Sequence, residues 1–317
     1  MTVLVLGGYG AVGRHIVGRL RDQGIDAAAA GRDARRADVT LDLAEPASFA
    51  AALGGVDVVV NASGSEDIRL AETAAATGVP FIDISATSEY TEKLEHVRGP
   101  VLIGVGIAPG LSGMLARDVF TTSSSSVDVA IGLGAGEKHG AAATEWTYGL
   151  MGKKFVDPDG AAVANFTGGK VIDFPVESGY RRFPSYRADF ADQHRLTDEL
   201  GVPVRTYLRL DSRLMTMGLA TLTHVPWLAR LSPSSMPGGD RWAIVARDQD
   251  GRSSWATGRE QSVATAVVAA WAAQQVASGE IDLGGPAWLH GAASLSDIAP
   301  TLSAAAFESG AAHITAE

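Results

Sequence analysis

A chain of 317 residues with 26 Lys+Arg against 36 Asp+Glu carries a formal charge of −10, which argues against a nucleic-acid or anionic-membrane surface. It has no cysteine, so disulfides, thiolate metal sites and a cysteine nucleophile are excluded, and with them the thiol-dependent aldehyde dehydrogenases. A hydrophobic content of 46% and a charged content of 20% are ordinary for a globular protein of two domains or one large one.

The N-terminus has no basic region, and its apolar run is too short for a signal peptide. The longest alanine-rich stretch, 264–277, is interrupted by Gln274 and Gln275 and cannot span a bilayer. These features predict a cytoplasmic protein without a membrane partner.

Val3 to Leu6 is a short apolar run that fits a buried strand, and Arg14 to Leu20 continues as a helix with Ile16, Val17 and Leu20 on one side. Between them lie Gly7, Gly8, Tyr9, Gly10, Ala11, Val12 and Gly13. Strand, glycine turn and helix form the setting of a dinucleotide-binding fingerprint. One glycine allows the tight turn, a second lets the backbone touch a pyrophosphate, and a third brings the helix close to the strand. Two registers fit, Gly8-Gly10-Gly13 and Gly7-Gly10-Gly13.

The second strand, placed by position over 25–30, ends in Gly31, Arg32 and Asp33. An NAD-type site carries an acid at that tip for the ribose 2′-hydroxyl. A guanidinium there would instead meet the 2′-phosphate of NADP. Asp33 is one residue late for the ribose role, so Arg32 favours NADP(H). Arg35 and Arg36 read as a solvated basic start to the following loop.

Further strands are predicted at 39–41, 57–61, 80–85 and 100–105, each followed by a helix or short crossover, so the sheet is parallel. Ligands of such sheets lie across the carboxyl ends of the strands. Asn61, Ala62 and Ser63 after the fourth strand, Ser85 after the fifth, and Ala108, Pro109 and Gly110 after the sixth are therefore placed to border ribose and nicotinamide.

Ser123 to Ser126 interrupts the pattern, as a domain boundary or as a surface loop within one domain. Beyond it, strands are predicted at 127–133, 170–174 and 204–210, helices at 141–151 and 212–231, and a hairpin around residues 248–251. A long alanine-rich helix over 259–277, a loop or short strand at 286–290 and a final helix at 294–305 complete the chain.

The ordered set GGYGAVGR, AGRD, VVNASG, FIDIS and GIAPGLSGMLA in the first 120 residues, with GREQSVATA near the C-terminus, resembles the saccharopine dehydrogenase-like reductases. The resemblance implies an α/β fold: a doubly wound parallel Rossmann domain that binds NADP(H), formed by 1–120 with 258–317. It also implies an inserted α+β substrate domain, 121–257, and a C-terminal helix returning to the first domain. Dimerisation through the second domain is a further implication. Members act on imines formed from amino acids, and some relatives reduce C=C bonds. The expected function is NADPH-dependent hydride transfer to a small-molecule C=N or C=O group. The alternatives are an enoyl reductase on a carrier-bound or lipid substrate, and a non-catalytic NADP-binding regulatory module.

Hydride transfer needs a proton donor or polariser besides the cofactor. A Tyr-x-x-x-Lys pair is absent: Tyr148 precedes Lys153 by one residue too many, and Tyr90 precedes Lys93 by one too few. The candidate donors are Tyr148, His139 and Lys153, with Tyr180 behind them, and each also fits a structural role. Arg181, Arg182 and Arg187 could clamp a carboxylate. No cluster has metal-ligand spacing.

Overall fold

The computed structural model describes residues 1–137, 141–225, 227 and 238–313. The chain divides into two units, Met1–Leu111 with Ser262–Thr301, and Ser112–Gln261 with the residues from Leu302 onward.

The first unit starts with β1 (Thr2–Leu6), α1 (Gly13–Asp22), β2 (Asp26–Gly31), β3 (Val39–Thr40), α2 (Pro46–Ala52), β4 (Val58–Asn61), α3 (Ile68–Ala76), β5 (Phe81–Asp83), α4 (Ser88–Leu94) and β6 (Val101–Ile103). Val3 to Leu6 and Val58 to Val60 are buried, as continuous apolar strands of a two-sided parallel sheet must be. α1 turns Ile16, Val17 and Leu20 inward, carries Arg19 and Arg21 in its last turn and stops before Gly24, whose φ is +76°. Pro46 opens α2, where its missing N–H costs nothing. Asp67 caps α3 by accepting from Arg69 N at 3.0 Å.

The second unit holds most of α5 (Leu111–Val119), then β7 (Val127–Leu133), α6 (Ala141–Leu150), β8 (Lys154–Val156), β9 (Ala162–Ala164), β10 (Lys170–Val171), β11 (Pro184–Arg187), α7 (Ala191–Leu200), β12 (Val204–Leu210), α8 (Arg213–Leu222), β13 (Arg241–Asp248) and β14 (Arg252–Arg259). The chain then returns to the first unit with α9 (Gln261–Ser278), β15 (Pro286–Trp288), α10 (Leu289–Ala292) and most of α11 (Leu295–Ala304). β16 (Glu308–His313) pairs antiparallel with β14, so the end of the chain belongs to the second unit's sheet.

The first sheet runs β15-β6-β5-β4-β1-β2-β3, parallel throughout. The order 3-2-1-4-5-6 is that of a doubly wound dinucleotide-binding sheet, with β15 added beside β6, and the crevice opens between β1 and β4. α9 is buried on every side, with 266–273 all in the core, which fits a helix apolar all round. The second sheet runs β10-β11-β12-β7-β13-β14-β16. It is mixed, because β7 and β12 pair parallel while the others pair antiparallel. β8 and β9 form a separate hairpin.

Several expectations change. The strand expected over 170–174 keeps only 170–171. α8 ends at Leu222, and residues 228–237 lie outside the described residues. The serine run is a loop inside the second unit: Ser124 is buried, and Ser125 N and Ser126 N donate to Gln249 Oε1 at 2.9 and 3.3 Å. Among the described residues no helix is long and apolar enough to cross a membrane.

Candidate dinucleotide-binding site

The glycine turn sits at the crevice between β1 and β4, and each glycine has a distinct task. Gly7 has φ +70°, and a Cβ on it would lie 2.6 Å from Ser63 Cα and 2.7 Å from Ala62 O. The ends of β1 and β4 therefore touch through a residue without a side chain. A Cβ on Gly8 would lie 2.5 Å from Ala29 Cα, which fixes the turn against β2. A Cβ on Gly13 would run into the Gly7 carbonyl, so α1 can start close under the turn. Gly10 donates to Gly7 O at 2.8 Å and accepts from Arg14 N at 3.3 Å, and a Cβ on it would lie 3.0 Å from Gly7 O. Gly7 and Gly8 thus pack on opposite neighbours.

Val12, the N-cap of α1, offers no side-chain cap, and the first turn has no acid. The N–H groups of Ala11, Val12 and Gly13 find no acceptor among the described residues. Such donors at a helix start form an anion cradle. Glycines whose side chains would fill the turn, together with these N–H groups, fit the pyrophosphate of a dinucleotide.

At the tip of β2, Arg32 is exposed and makes no ion pair among the described residues. Asp33 N donates to Tyr9 Oη at 3.1 Å, and Asp33 Oδ1 accepts from Arg35 N at 3.0 Å. Arg36 is exposed, as expected, and in addition its guanidinium lies 4.4 Å from the Tyr9 ring centroid and donates from Nη2 to Tyr9 O at 2.8 Å.

The ends of β4 and β5 share a buried polar network. Asn61 Nδ2 donates to Asp83 Oδ2 at 2.7 Å and to Ser65 O at 2.9 Å. Asn61 Oδ1 accepts from Ser63 Oγ at 2.6 Å. Ser85 N donates to Asp83 Oδ1 at 2.7 Å, and Tyr90 Oη to Asp83 Oδ2 at 3.2 Å. Burial pushes the Asp83 carboxyl above its ordinary range, against the hydrogen bonds from Ser85, Asn61 and Tyr90. Burial, with the Asp83 charge beside it, also raises the Tyr90 phenol. Asp83 and Tyr90 are the residues that sequence reasoning left out of the site. An acid within the apolar run FIDIS was the available signal.

After β6, Gly106 N donates to Pro109 O at 3.0 Å and Leu111 N to Gly106 O at 2.9 Å. These bonds close Ala108, Pro109 and Gly110 into a tight turn, in which the Ala108–Pro109 bond is cis. The structure thus places Gly7–Gly13, Gly31–Asp33, Asn61–Ser63, Ser85 and the Ala108–Gly110 turn along the carboxyl edge of one sheet.

The candidate donors lie in the second unit. His139 lies outside the described residues. Tyr148 is half-buried on α6. Lys153 is exposed, and its carbonyl accepts from Asn165 N at 3.0 Å. No hydrogen bond joins Tyr148 to Lys153 among the described residues. Two other candidates are corrected. Tyr180 donates to Arg241 O at 2.9 Å, and burial raises its phenol well above the ordinary value. Arg187 is buried against Asp157 and donates to Gln193 Oε1 at 2.9 Å, so it cannot reach a substrate carboxylate. Among the described residues no group of three His, Asp or Glu side chains could hold a metal ion.

Residues 3–79 match the NAD dependent epimerase/dehydratase family. No match is found among curated proteins. Among solved structures, the saccharopine dehydrogenase (L-Glu forming) of Saccharomyces cerevisiae is 14% identical. The alignment covers 98% of this chain and 99% of that one, with a TM-score of 0.61. A short-chain dehydrogenase/reductase superfamily protein from Agrobacterium tumefaciens with bound NAD matches 27% of this chain and 33% of its own, at 24% identity and a TM-score of 0.24. UDP-N-acetylglucosamine 4-epimerase from Bacillus cereus matches 28% and 40%, at 16% identity and a TM-score of 0.24. The chain shares the fold of the saccharopine dehydrogenase over 98% of its length, and its residues 3–79 match an NAD dependent family.

Proposed function

We propose that the protein is an NADPH-dependent reductase acting on a small molecule with a C=N or C=O bond, an imine first. The observation that carries the cofactor choice is the tip of β2: Gly31 followed by an exposed Arg32, with no acid at the position that reads a ribose 2′-hydroxyl. A bound nicotinamide dinucleotide supplies the hydride. The chain's own residues do the rest. The free N–H groups of 11–13 receive the pyrophosphate, and Arg32 meets the 2′-phosphate. The network of Asn61, Ser63, Asp83 and Ser85 holds its hydroxyl and amide groups in fixed orientations at the strand ends.

Substrate recognition is assigned to the second unit. Tyr148 is the proposed proton donor, a phenol whose hydroxyl makes no hydrogen bond among the described residues. The imine ranks first because of the resemblance to saccharopine dehydrogenase-like reductases.

Titration of the purified protein with NADPH and NADH, followed by nucleotide fluorescence, tests the reading. NADPH should bind at least tenfold more tightly, and the bound NADPH should be oxidised by a member of an imine panel. Binding of neither nucleotide would refute the enzyme assignment, and equal binding would refute the NADPH preference.

A further inference from the structure

We infer that Arg36, carried on the ring of Tyr9, is a second residue beside Arg32 that discriminates a 2′-phosphorylated adenosine from an unphosphorylated one. The inference rests on the dinucleotide reading and goes beyond it by naming a second cation and its platform.

Tyr9 acts first by occupying space. A Cβ on Gly31 would lie 2.6 Å from Tyr9 Cε1 and 2.7 Å from its hydroxyl. The aromatic ring stands where a side chain at the end of β2 would start. An acid at that position, the reader of an NAD ribose, would require the ring to move.

Tyr9 also holds Arg36. The guanidinium stacks 4.4 Å from the ring centroid, and one N–H is spent on the Tyr9 carbonyl at 2.8 Å. The Tyr9 hydroxyl accepts from Asp33 N at 3.1 Å, and Arg36 N and Ala37 N both donate to Asp33 O at 2.9 Å. The loop after β2 is therefore folded back on the glycine turn. A guanidinium fixed by stacking and one hydrogen bond is preorganised, with its remaining donors free for a planar, bidentate contact.

The surroundings are cationic. Arg36 lines a recess of about 330 Å³ with Gly8, Tyr9, Arg14 and Arg21. Arg21 is neutralised by Asp38 at 2.6 Å. Arg14, Arg32 and Arg36 form no ion pair among the described residues, and Arg14 Nε donates only to His15 Nε2 at 3.2 Å. The nearby carboxylate of Asp33 accepts from Arg35 N. Of the arginines that line the recess, Arg14 and Arg36 carry charge that no carboxylate neutralises among the described residues, and two such guanidinium groups favour a dianionic phosphate monoester. The recess borders the turn that would hold the pyrophosphate, so the adenosine 2′-phosphate is the monoester that fits.

The test is calorimetric titration of the full chain with 2′,5′-ADP, 5′-ADP and inorganic phosphate, for the parent and for Arg36→Ala, Tyr9→Ala and Arg32→Ala. The parent should bind 2′,5′-ADP at least tenfold more tightly than 5′-ADP. Arg36→Ala and Tyr9→Ala should each remove most of that ratio. In Arg36→Ala the affinity for 5′-ADP should stay within twofold of the parent, which also reports that the site is folded. An unchanged ratio in Arg36→Ala, or loss confined to Arg32→Ala, would overturn the inference while leaving the dinucleotide reading intact. Inorganic phosphate binding as tightly as 2′,5′-ADP would mark a free-phosphate site and also overturn it. Failure of the parent to bind any adenosine nucleotide would remove both the inference and the dinucleotide reading.

Discussion

Gly7 shows how little freedom a single position can have. Its φ of +70° lies in the left-handed region, and a Cβ would press on the Ala62–Ser63 backbone. The conformational penalty for a side chain there is about 1–2 kcal/mol, and overpacking against backbone adds about 1–3 kcal/mol. Gly7→Ala should therefore lower unfolding stability in urea by about 3 kcal/mol, and raise the Kd for NADPH at least tenfold by pushing β1 and β4 apart. Gly24 is the matched control, with φ +76° and nothing within 4 Å. Gly24→Ala should cost only the conformational term, about 1 kcal/mol, and leave NADPH binding unchanged. Equal effects at the two positions would show that conformation, not the close approach of the strand ends, governs Gly7.

At the scale of elements, the β8–β9 hairpin is tied to the second sheet through one buried charge cluster. Asp157 follows β8 and pairs with Arg187 of β11 and with Arg205 of β12, whose Nε lies 3.0 Å away. Arg187 also lies 5.0 Å from the Phe155 ring and 5.3 Å from that of Tyr207. Burial pushes the Asp157 carboxyl up, but the two guanidinium groups outweigh it and hold the pKa below the ordinary value. A depressed folded pKa gives stability that is present above the unfolded value of about 4 and lost as pH falls through the folded one. Asp157→Ala leaves Arg187 buried and uncompensated, at a cost of about 3–5 kcal/mol. Between pH 7 and pH 3 the urea midpoint of the parent should fall more steeply than that of Asp157→Asn, and parallel curves would contradict the pairing.

The same cluster explains what sequence could and could not reveal. β1, β4 and β7 were legible because apolar runs or alternation end at clear turn signals, and the glycines mark the first crevice. α7 was not, because it buries Asp192 and Gln193 beside Ala191 and Leu196. Gln193 serves Arg187 and Thr206 N, at 2.9 and 3.2 Å, and hydropathy cannot register a polar side chain buried by its partners. Arg187 likewise looked available for a ligand. In the site, Arg36 is the exposed charge it looked to be, but its contact was not legible, because Tyr9 is 27 residues earlier and meets it only once the turn and the loop have formed.

On the scale of the whole molecule the chain passes between its two units three times, after Leu111, after Gln261 and after Thr301. The last passage delivers Phe307 and β16 to the second unit. The Phe307 ring meets Trp242 edge-on, with centroids 5.3 Å apart at 76°. It also covers Gly258, where a Cβ could not fit beneath it. Trp242 is fully buried on β13 and Phe307 is 8% exposed, so the pair closes the core at the β16 end of the sheet. Phe307→Ala should cost about 3–5 kcal/mol, the range for truncating a buried phenylalanine. The residues proposed to bind the cofactor all lie in the first unit. Under native conditions the variant should therefore keep the parent's Kd for NADPH within twofold while its urea midpoint drops. NADPH stabilises only the state that binds it, by about 2.7 kcal/mol at a hundredfold excess over Kd. If the first unit unfolds independently, adding NADPH should leave the weakened second-unit transition of Phe307→Ala in place and move only the other one. A single transition shifted as a whole would show that the three chain passages make the two units fold as one cooperative body. Weakened NADPH binding by the folded variant would mean that the second unit's core shapes the cofactor site directly.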